Sequence, residues 1–447
     1  MKHKSLVIIM LCFTSWLFAQ EVPSSFTLQE AIDFALENNR QAKNAVRDIE
    51  AAEKQKWETT ATGLPQINGA VDYQNWLKQQ VSLLPAEIAG GEPGTFVPVT
   101  FSPKQSVNAM VTLNQLLFDG SYIVGLQSAK VYLEISKNAK TKTDLEVRQA
   151  VINAYGNVLL AEENLQIVNK NIEVLEKNLD ETTKIYENGL AEEESVEQLQ
   201  ITLTSLENYQ NNVERIKDLS YKMFNITLGI DLYENTVLTD SLESLTLQNI
   251  SLELLEANES IENNIDYQIA KNQEVSKELL LKLEKSTFLP SLSAFVNAGY
   301  SGYGEKFEFT TNNQEWYGSS LLGVSMSIPI FSSGMRSAAT QRAKIDLEIA
   351  KEELTQTEQQ LKFDIANAKS NYRFAIEEFE NKRQNLNLAE RIEQKNQTKF
   401  FEGIASSFDL RQAQTQLYTA QQEYLQSMFD VIAKKAELET ILNTVNY

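Results

Sequence analysis

Histidine and cysteine supply much of the nucleophilic and metal-binding chemistry of proteins, and this chain of 447 residues has one of each. Both His3 and Cys12 lie within the first twelve positions. They belong to a stretch that is typical of a signal peptide, in which a basic start precedes an apolar run from Ser5 to Phe18. We therefore predict that residues 1–20 are removed and that the remaining protein contains neither residue type.

This expected absence excludes several classes of site. Without imidazole or thiolate, the protein has no Ser-His-Asp or Cys-His machinery, no disulfide framework and no soft-ligand metal site. Carboxylates, lysine and tyrosine remain, but they form no polar constellation outside a repeated helical scaffold, so we predict no catalytic residue, no metal site and no cofactor. The net charge is −21, or −23 without residues 1–20, which argues against binding to nucleic acid.

Proline and glycine divide the chain into long helical segments and short extended ones. No proline occurs in residues 104–289 or after Pro329. Residues 335–402 contain neither glycine nor proline, and residues 126–188 contain a single glycine. At about 1.5 Å per residue, these two segments predict helices of about 100 Å and 95 Å, and hence an elongated molecule.

Apolar residues of the later helix repeat with the spacing of a left-handed coiled coil. This seam comprises Leu354, Leu361, Ile365, Ala368, Tyr372, Ala375, Phe379, Leu386 and Ala389. Subtracting 214 from the number of each seam residue gives a second set of nine residues, and eight of them are apolar. The second set comprises Lys140, Val147, Val151, Ala154, Val158, Ala161, Leu165, Ile172 and Leu175. Gap-free agreement over roughly sixty residues indicates an internal duplication.

Each copy of the duplication also contains two segments with the alternating polarity of β-strands. We predict strands at about 66–78 and 105–117 in the first copy, and at about 291–303 and 317–330 in the second, each pair forming a hairpin. Strands of roughly ten residues are long enough to cross a membrane when tilted. Soluble strands with one wet face would show the same alternation.

If these strands span a membrane, several copies of the chain must share one barrel. Four strands cannot close a barrel, since single-chain barrels begin at about eight strands. Open strand edges do not occur in lipid. Two copies would supply about eight strands and three about twelve, and only the wider barrel leaves a substantial water-filled lumen.

These features together resemble the TolC family of outer-membrane efflux ducts. The resemblance rests on Phe-Thr-Leu-Gln-Glu-Ala-Ile-Asp-Phe-Ala-Leu-Glu-Asn-Asn at residues 26–39, on Leu-Pro before each first strand, on Phe-Asp-Gly and Phe-Ser-Ser-Gly after each second strand, and on the duplication. It implies a mainly α membrane α+β fold, in which a homotrimer forms a β-barrel of about twelve strands continuous with a periplasmic α-helical barrel. The repeats would be residues 21–228 and 264–447, joined by an equatorial segment at 229–263.

The resemblance also implies a function. A duct of this family lies in the outer membrane of a Gram-negative bacterium, extends into the periplasm, and docks to a periplasmic adaptor and an inner-membrane pump. Type I protein secretion and metal export are alternatives within transport. A periplasmic coiled-coil scaffold without a pore is the alternative outside transport, but it leaves the four amphipathic strands unexplained.

The best-marked functional feature of the family is a pair of periplasmic tips, each a turn between two long helices. The second copy matches the family pattern at Gly403, Ile404, Asp409 and Leu410. The first copy matches at Gly189, Leu190 and Val196 but has Ser195 where the family has aspartate. The resemblance implies that these residues receive the adaptor and that Asp409 narrows the closed pore.

Local chemistry predicts how the tips are built. We expect each glycine to end a helix in a left-handed turn. We expect Ser195 and Asp409 to cap the helices that follow, with Gln198 completing a capping box in the first copy and Gln412 a close analogue of one in the second. Glu192–Glu194 form an acidic run that we interpret as a solvated turn, with a role in selectivity as the alternative.

Overall fold

The computed structural model describes residues 24–256 and 261–443, so the predicted signal peptide lies outside the described residues. The chain forms two compact units. A helical unit consists of the residues up to Ile49, Ser136–Ala270 and the residues from Leu354 onward. A mixed unit consists of Glu50–Ile135 and Lys271–Glu353.

The elements of the first copy are, in chain order, β1 (Ser25–Phe26), α1 (Leu28–Asn38), α2 (Arg40–Ala61), β2 (Gln66–Asn75), β3 (Ser82–Pro85), β4 (Phe96–Val99), β5 (Gln105–Phe118), α3 (Gly120–Glu187) and α4 (Glu193–Leu228). They are followed by β6 (Val237–Leu238), α5 (Leu242–Gln248) and α6 (Glu253–Glu256). The second copy contains α7 (Ile265–Ser286), β7 (Ser291–Gly304), β8 (Trp316–Ser327), α8 (Met335–Phe401) and α9 (Ser407–Leu442). Short 3₁₀ turns lie at Ala86–Ala89 and Ile261–Asn263.

The two long helices occur where the lack of proline and glycine predicts them. Helix α3 has 68 residues and α8 has 67. In each predicted seam, seven of the nine residues are buried. The predicted packing seam is therefore confirmed in both copies. Among the residues that the structure describes, no helix has a stretch long and apolar enough to cross a bilayer.

Two buried tyrosines fasten the segment between the copies to the long helices. The Tyr155 hydroxyl of α3 lies 2.8 Å from the Asp240 carboxylate and 3.0 Å from the carbonyl oxygen of Phe26. The Tyr372 hydroxyl of α8 donates to the carbonyl of Asn249 at 2.6 Å. Both side chains are fully buried, so these bonds fix the segment within the core of the helical unit.

The mixed unit contains an antiparallel sheet with the strand order β2-β5-β7-β8. The two predicted hairpins are present, and β5 pairs with β7 to join them. Strands β2 and β8 end three residues before their predicted limits, at Asn75 and Ser327. In β8 the physical reason is Pro329, which cannot donate a ladder hydrogen bond.

The register of this sheet separates polar from apolar side chains. One row across all four strands contains Ile67, Leu113, Val296 and Leu322. The adjacent row faces the other way and contains Asn68, Thr112, Asn297 and Leu321. One face is therefore mainly apolar and the other mainly polar, and Asp72 is the single charged residue in the four strands.

Candidate functional site: the two helical tips

Two matching turns join the long helices to the helices that follow. The first tip turn, residues 188–192, joins α3 to α4, and the second tip turn, residues 402–406, joins α8 to α9. Gly189 has a φ of 78° and Gly403 a φ of 72°. A Cβ atom on either glycine would meet nothing within 4 Å. The requirement for glycine is therefore the left-handed backbone and not a lack of space.

The same pair of backbone bonds closes both turns. In the first, Leu190 donates to the Ile185 carbonyl at 3.0 Å and Gly189 donates to that of Tyr186 at 2.8 Å. In the second, Ile404 donates to the Lys399 carbonyl at 2.8 Å and Gly403 to that of Phe400 at 3.0 Å. These bonds satisfy carbonyls that the helix end would otherwise leave unpaired. The predicted left-handed turns are confirmed.

The cap of the second tip differs from the prediction. Ser406, and not Asp409, is the N-cap of α9. The Ser406 hydroxyl accepts from the Asp409 amide at 3.2 Å, and the Asp409 carboxylate accepts from the Ser406 amide at 3.0 Å. The prediction that Asp409 is the N-cap was wrong because the helix begins three residues earlier. Asp409 instead supplies the reciprocal bond of a capping box, so Gln412 is not part of it.

The first tip also corrects the prediction. Glu192 is the N-cap of α4 and makes no side-chain cap bond, while the Ser195 amide donates to the Glu192 carbonyl at 3.0 Å. Ser195 therefore stands inside the helix, and Gln198 bonds to Glu194 at 2.7 Å instead of completing a capping box. At the offset of 214, Glu192 corresponds to Ser406 and Ser195 to Asp409. The acidic and hydroxyl residues are exchanged between the two tips, so each tip keeps one carboxylate within this pair.

Burial divides the predicted docking residues into two groups. Leu190 is 80% exposed and Ile404 is 71% exposed. Leu410 is fully buried and Val196 is half-buried, so these two anchor the first turn of their helices. Each tip therefore exposes one aliphatic side chain on a turn that backbone hydrogen bonds close.

Asp409 is a fully exposed carboxylate held by its cap. Its oxygen accepts from the Ser406 hydroxyl at 2.7 Å in addition to the amide. These two hydrogen bonds favour the ionised form and lower the pKa of Asp409 below its ordinary value. Two residues further along α9, the Arg411 guanidinium lies 5.4 Å from the centre of the Phe408 ring. The tip therefore presents a carboxylate that is ionised at neutral pH, in the same helical turn as an aromatic and a basic side chain.

Buried polar residues lie behind the tips, and sequence reasoning missed them. Gln397 of α8 donates to Asn178 of α3 at 2.9 Å, and Asn171 of α3 donates to Gln421 of α9 at 2.7 Å. Asn178 is 1% exposed. It stands three residues beyond the seam residue Leu175, so a polar residue at seam spacing was the available signal. These bonds tie the two copies together within the helical unit.

A carboxyl and a phenol in the same helices are also poorly solvated. Burial raises the pKa of Glu393 in α8. Burial, with a contribution from Glu393, raises the pKa of Tyr418 in α9 to about 12. In residues 24–256 and 261–443, no group of His, Cys, Asp or Glu side chains has the arrangement of a metal site.

Comparison with known proteins identifies relatives along nearly the whole chain. A family model described as outer membrane efflux protein matches residues 31–219 and 257–444. The chain is 22% identical over 426 residues to outer membrane protein TolC of Vibrio cholerae serotype O1, which covers 94% of this chain and 91% of that protein. The two matched segments correspond to the two copies of the duplication.

Solved structures share the fold. The outer membrane protein VceC from Vibrio cholerae is similar with a TM-score of 0.70 at 16% identity, over 93% of this chain and 95% of that chain. The CmeC outer membrane channel of Campylobacter jejuni is similar with a TM-score of 0.72 at 17% identity, over 93% of this chain and 85% of that chain. The fold is thus shared at sequence identities too low to show more than the fold.

Proposed function

Because the chain belongs to the outer membrane efflux protein family, we propose that it is the exit duct of a tripartite efflux system. Proteins of this family are transport ducts of the outer membrane, so the chain is not an enzyme. In the proposed system the duct extends into the periplasm and conducts small molecules passively after it docks to a periplasmic adaptor and an inner-membrane pump. Outer-membrane lipid surrounds its barrel.

The two-faced sheet is the observation that carries this proposal. Its apolar face suits lipid, and its polar face suits a water-filled lumen. The strands have 10, 14, 14 and 12 residues, which is sufficient for tilted membrane strands. With a single carboxylate among the four strands, the lumen wall within the membrane would be polar and almost uncharged.

The sheet edges support a trimer. Strands β2 and β8 are the outer strands of the sheet, and neither contains proline, so both can accept another strand along their free edges. In lipid those edges must be paired. Pairing β2 of one copy with β8 of the next closes a barrel, and three copies give about twelve strands and an open lumen.

The helices of a single chain also expose apolar side chains, and exposed apolar surface of this extent indicates contact with another surface. On α8 they include Ile345, Ile349, Phe363, Phe374 and Leu388, and on α4 they are Ile201, Ile216, Leu219, Met223 and Ile226. Neighbouring copies in a helical barrel would bury these stripes. The stripes therefore favour an assembly in which the helices, as well as the strands, contact other copies.

The tips support docking to an adaptor. Leu190 and Ile404 are the predicted contact residues with exposed aliphatic side chains, and both stand on closed turns. Residues 21–447 contain no cysteine, so Leu190→Cys and Ile404→Cys each introduce a single thiol into the processed chain. Crosslinking in cells should join both variants to one periplasmic protein. Gln359→Cys, an exposed position 45 residues before Ile404, is the matched control and should capture nothing.

A further inference from the structure

The two hairpins of the sheet have very different connections. Residues 305–315 form a short loop between β7 and β8, whereas residues 76–104 form a longer connection between β2 and β5 that contains β3 and β4. We name the longer connection the ribbon. Because the strands are antiparallel, both connections lie at the same end of the sheet.

One aromatic residue anchors the short loop to its own sheet. Phe309 is only 8% exposed. Its ring lies 6.2 Å from that of Tyr73 and 6.5 Å from that of Trp316, measured between ring centres. Phe307 lies 5.6 Å from Tyr73 in an edge-to-face contact. Phe309 therefore needs no further partner, whereas Phe307 is 59% exposed.

The ribbon continues the β2–β5 hairpin beyond the sheet. The Trp76 amide donates to the Lys104 carbonyl at 2.8 Å, and the Gln79 side chain donates to the Ser102 carbonyl at 2.8 Å. The β3–β4 ladder then pairs Ser82 with Val99. From residue 76 to residue 85 the chain could span at most about 33 Å, and it bends at residues 77–78.

Apolar residues cover both faces of the ribbon. Leu83 and Phe96 lie on one face and are 66% and 61% exposed. Leu84 and Val97 lie opposite each other on the second face. Between Lys78 and Lys104 the sequence contains only two charged residues, Glu87 and Glu92. A two-stranded ribbon alone is marginal in water, so exposed apolar residues on this scale indicate a partner surface.

We propose that the ribbons of the three copies pack against one another across the outer mouth of the shared barrel. This inference rests on the proposed trimer. A barrel of about twelve strands has a radius of about 12 Å, which is less than the greatest span of about 33 Å that residues 76–85 could cover. The ribbon leaves the sheet from β2, the edge strand through which each copy would contact the next, so its apolar faces lie beside that interface.

Two further features favour other copies over lipid as the partner. A two-stranded ribbon in lipid would leave backbone groups on both outer edges unpaired, which lipid does not tolerate. The ribbon also has Pro85 and Pro98 in its two strands, whereas β2 and β8 have none. Proline resists the addition of a further strand. The ribbons would therefore meet through side-chain faces while the sheets meet through their edges.

Single-cysteine crosslinking tests the packing. Phe96→Cys places a thiol on the exposed face of the ribbon, and Thr310→Cys places one on the exposed tip of the short loop. The purified assembly in lipid vesicles would be treated with a short bifunctional maleimide. We expect dimers to be trapped with Phe96→Cys and to be absent with Thr310→Cys.

Native mass spectrometry of the same samples distinguishes a failure of ribbon packing from a failure of the proposed trimeric duct. A trimer without crosslinks at Phe96→Cys or at a second site, Leu83→Cys, would overturn ribbon packing while leaving the duct intact. The absence of a trimer would overturn the proposed function itself. Quenching of a fluorophore on Phe96→Cys by spin-labelled lipid would place the ribbon in the bilayer and would also overturn the inference.

Discussion

Asp409 and Ser406 hold each other at the start of α9, because the Asp409 carboxylate accepts from both the amide and the hydroxyl of Ser406, at 3.0 and 2.7 Å. The corresponding pair in the first copy, Glu192 and Ser195, has the acid and the hydroxyl exchanged and no side-chain cap. The duplication thus preserves the glycine turn but not the cap. At the second tip, hydrogen bonds hold the Asp409 carboxylate in place. At the first tip the N-cap residue is Glu192, and glutamate is not among the residues that cap helices well.

Removal of the serine cap should weaken the second tip. Ser406→Ala deletes the acceptor for the Asp409 amide and should cost about 1 kcal/mol of unfolding free energy. Hydrogen exchange of the amides in the first turn of α9 would show the loss as faster exchange. The neighbouring substitution Ser407→Ala is the control, and equal effects of the two would contradict the observed cap. Glu192→Ser should instead stabilise the first turn of α4 and slow the hydrogen exchange of its amides.

Asp409→Asn should change ion passage at the tip. Loss of three carboxylates from the proposed trimer should weaken block by divalent cations on the periplasmic side, as measured by conductance. Hydrogen bonding lowers the pKa of Asp409, so its charge persists below the ordinary aspartate pKa of about 3.9. The difference between wild type and variant should therefore be unchanged between about pH 7 and pH 5. Equal block in both proteins would refute a role for Asp409 in the constriction.

The left-handed turns should tolerate asparagine better than alanine. Gly403→Ala places a Cβ on a backbone with a φ of 72° and should cost about 1 kcal/mol, although no atom lies near the new methyl group. Gly403→Asn should cost less, because asparagine enters this region more readily. Thermal unfolding of the assembly would rank the variants. Gly69→Ala, also in open space but without a positive φ, is the control and should be nearly silent.

Tyr155→Phe should loosen the segment between the copies. The change removes the buried bond to the Asp240 carboxylate and should cost about 2 kcal/mol. Limited proteolysis should then cut residues 229–256 faster than in wild type. If the cutting rate is unchanged, Tyr155 does not anchor this segment.

The same tyrosine predicts a dependence of stability on pH. Burial and the neighbouring Asp240 raise the pKa of Tyr155, so the folded protein retains the proton more tightly than the unfolded chain. The stability it contributes is full below the ordinary tyrosine pKa of about 10 and is lost as the pH rises above that value. Tyr155→Phe should show a shallower decline in this alkaline range.

Local pattern was sufficient to predict the long helices, their seams and the glycine turns, because each depends on residues close together in sequence. The N-cap depends on where α9 starts, and the spacing of Ser406 and Asp409 was itself the signature of a capping box. The bond between Asn178 and Gln397 joins residues 219 positions apart, so hydropathy along either helix did not reveal it. The ribbon was missed because its prolines and glycines indicate turns, whereas its ladder continues from β2 and β5.

The most direct test of the duct is the conductance of the processed protein in a planar bilayer. The apolar and polar faces of the sheet, closed through β2 and β8 of neighbouring copies, predict a detergent-stable trimer that gives stepwise, ion-conducting events. Wild type should conduct, and Val324→Pro in the edge strand β8 should abolish both trimer and conductance, because proline cannot donate a ladder hydrogen bond and disrupts the strand. A stable wild-type trimer that never conducts would contradict the duct and favour a scaffold.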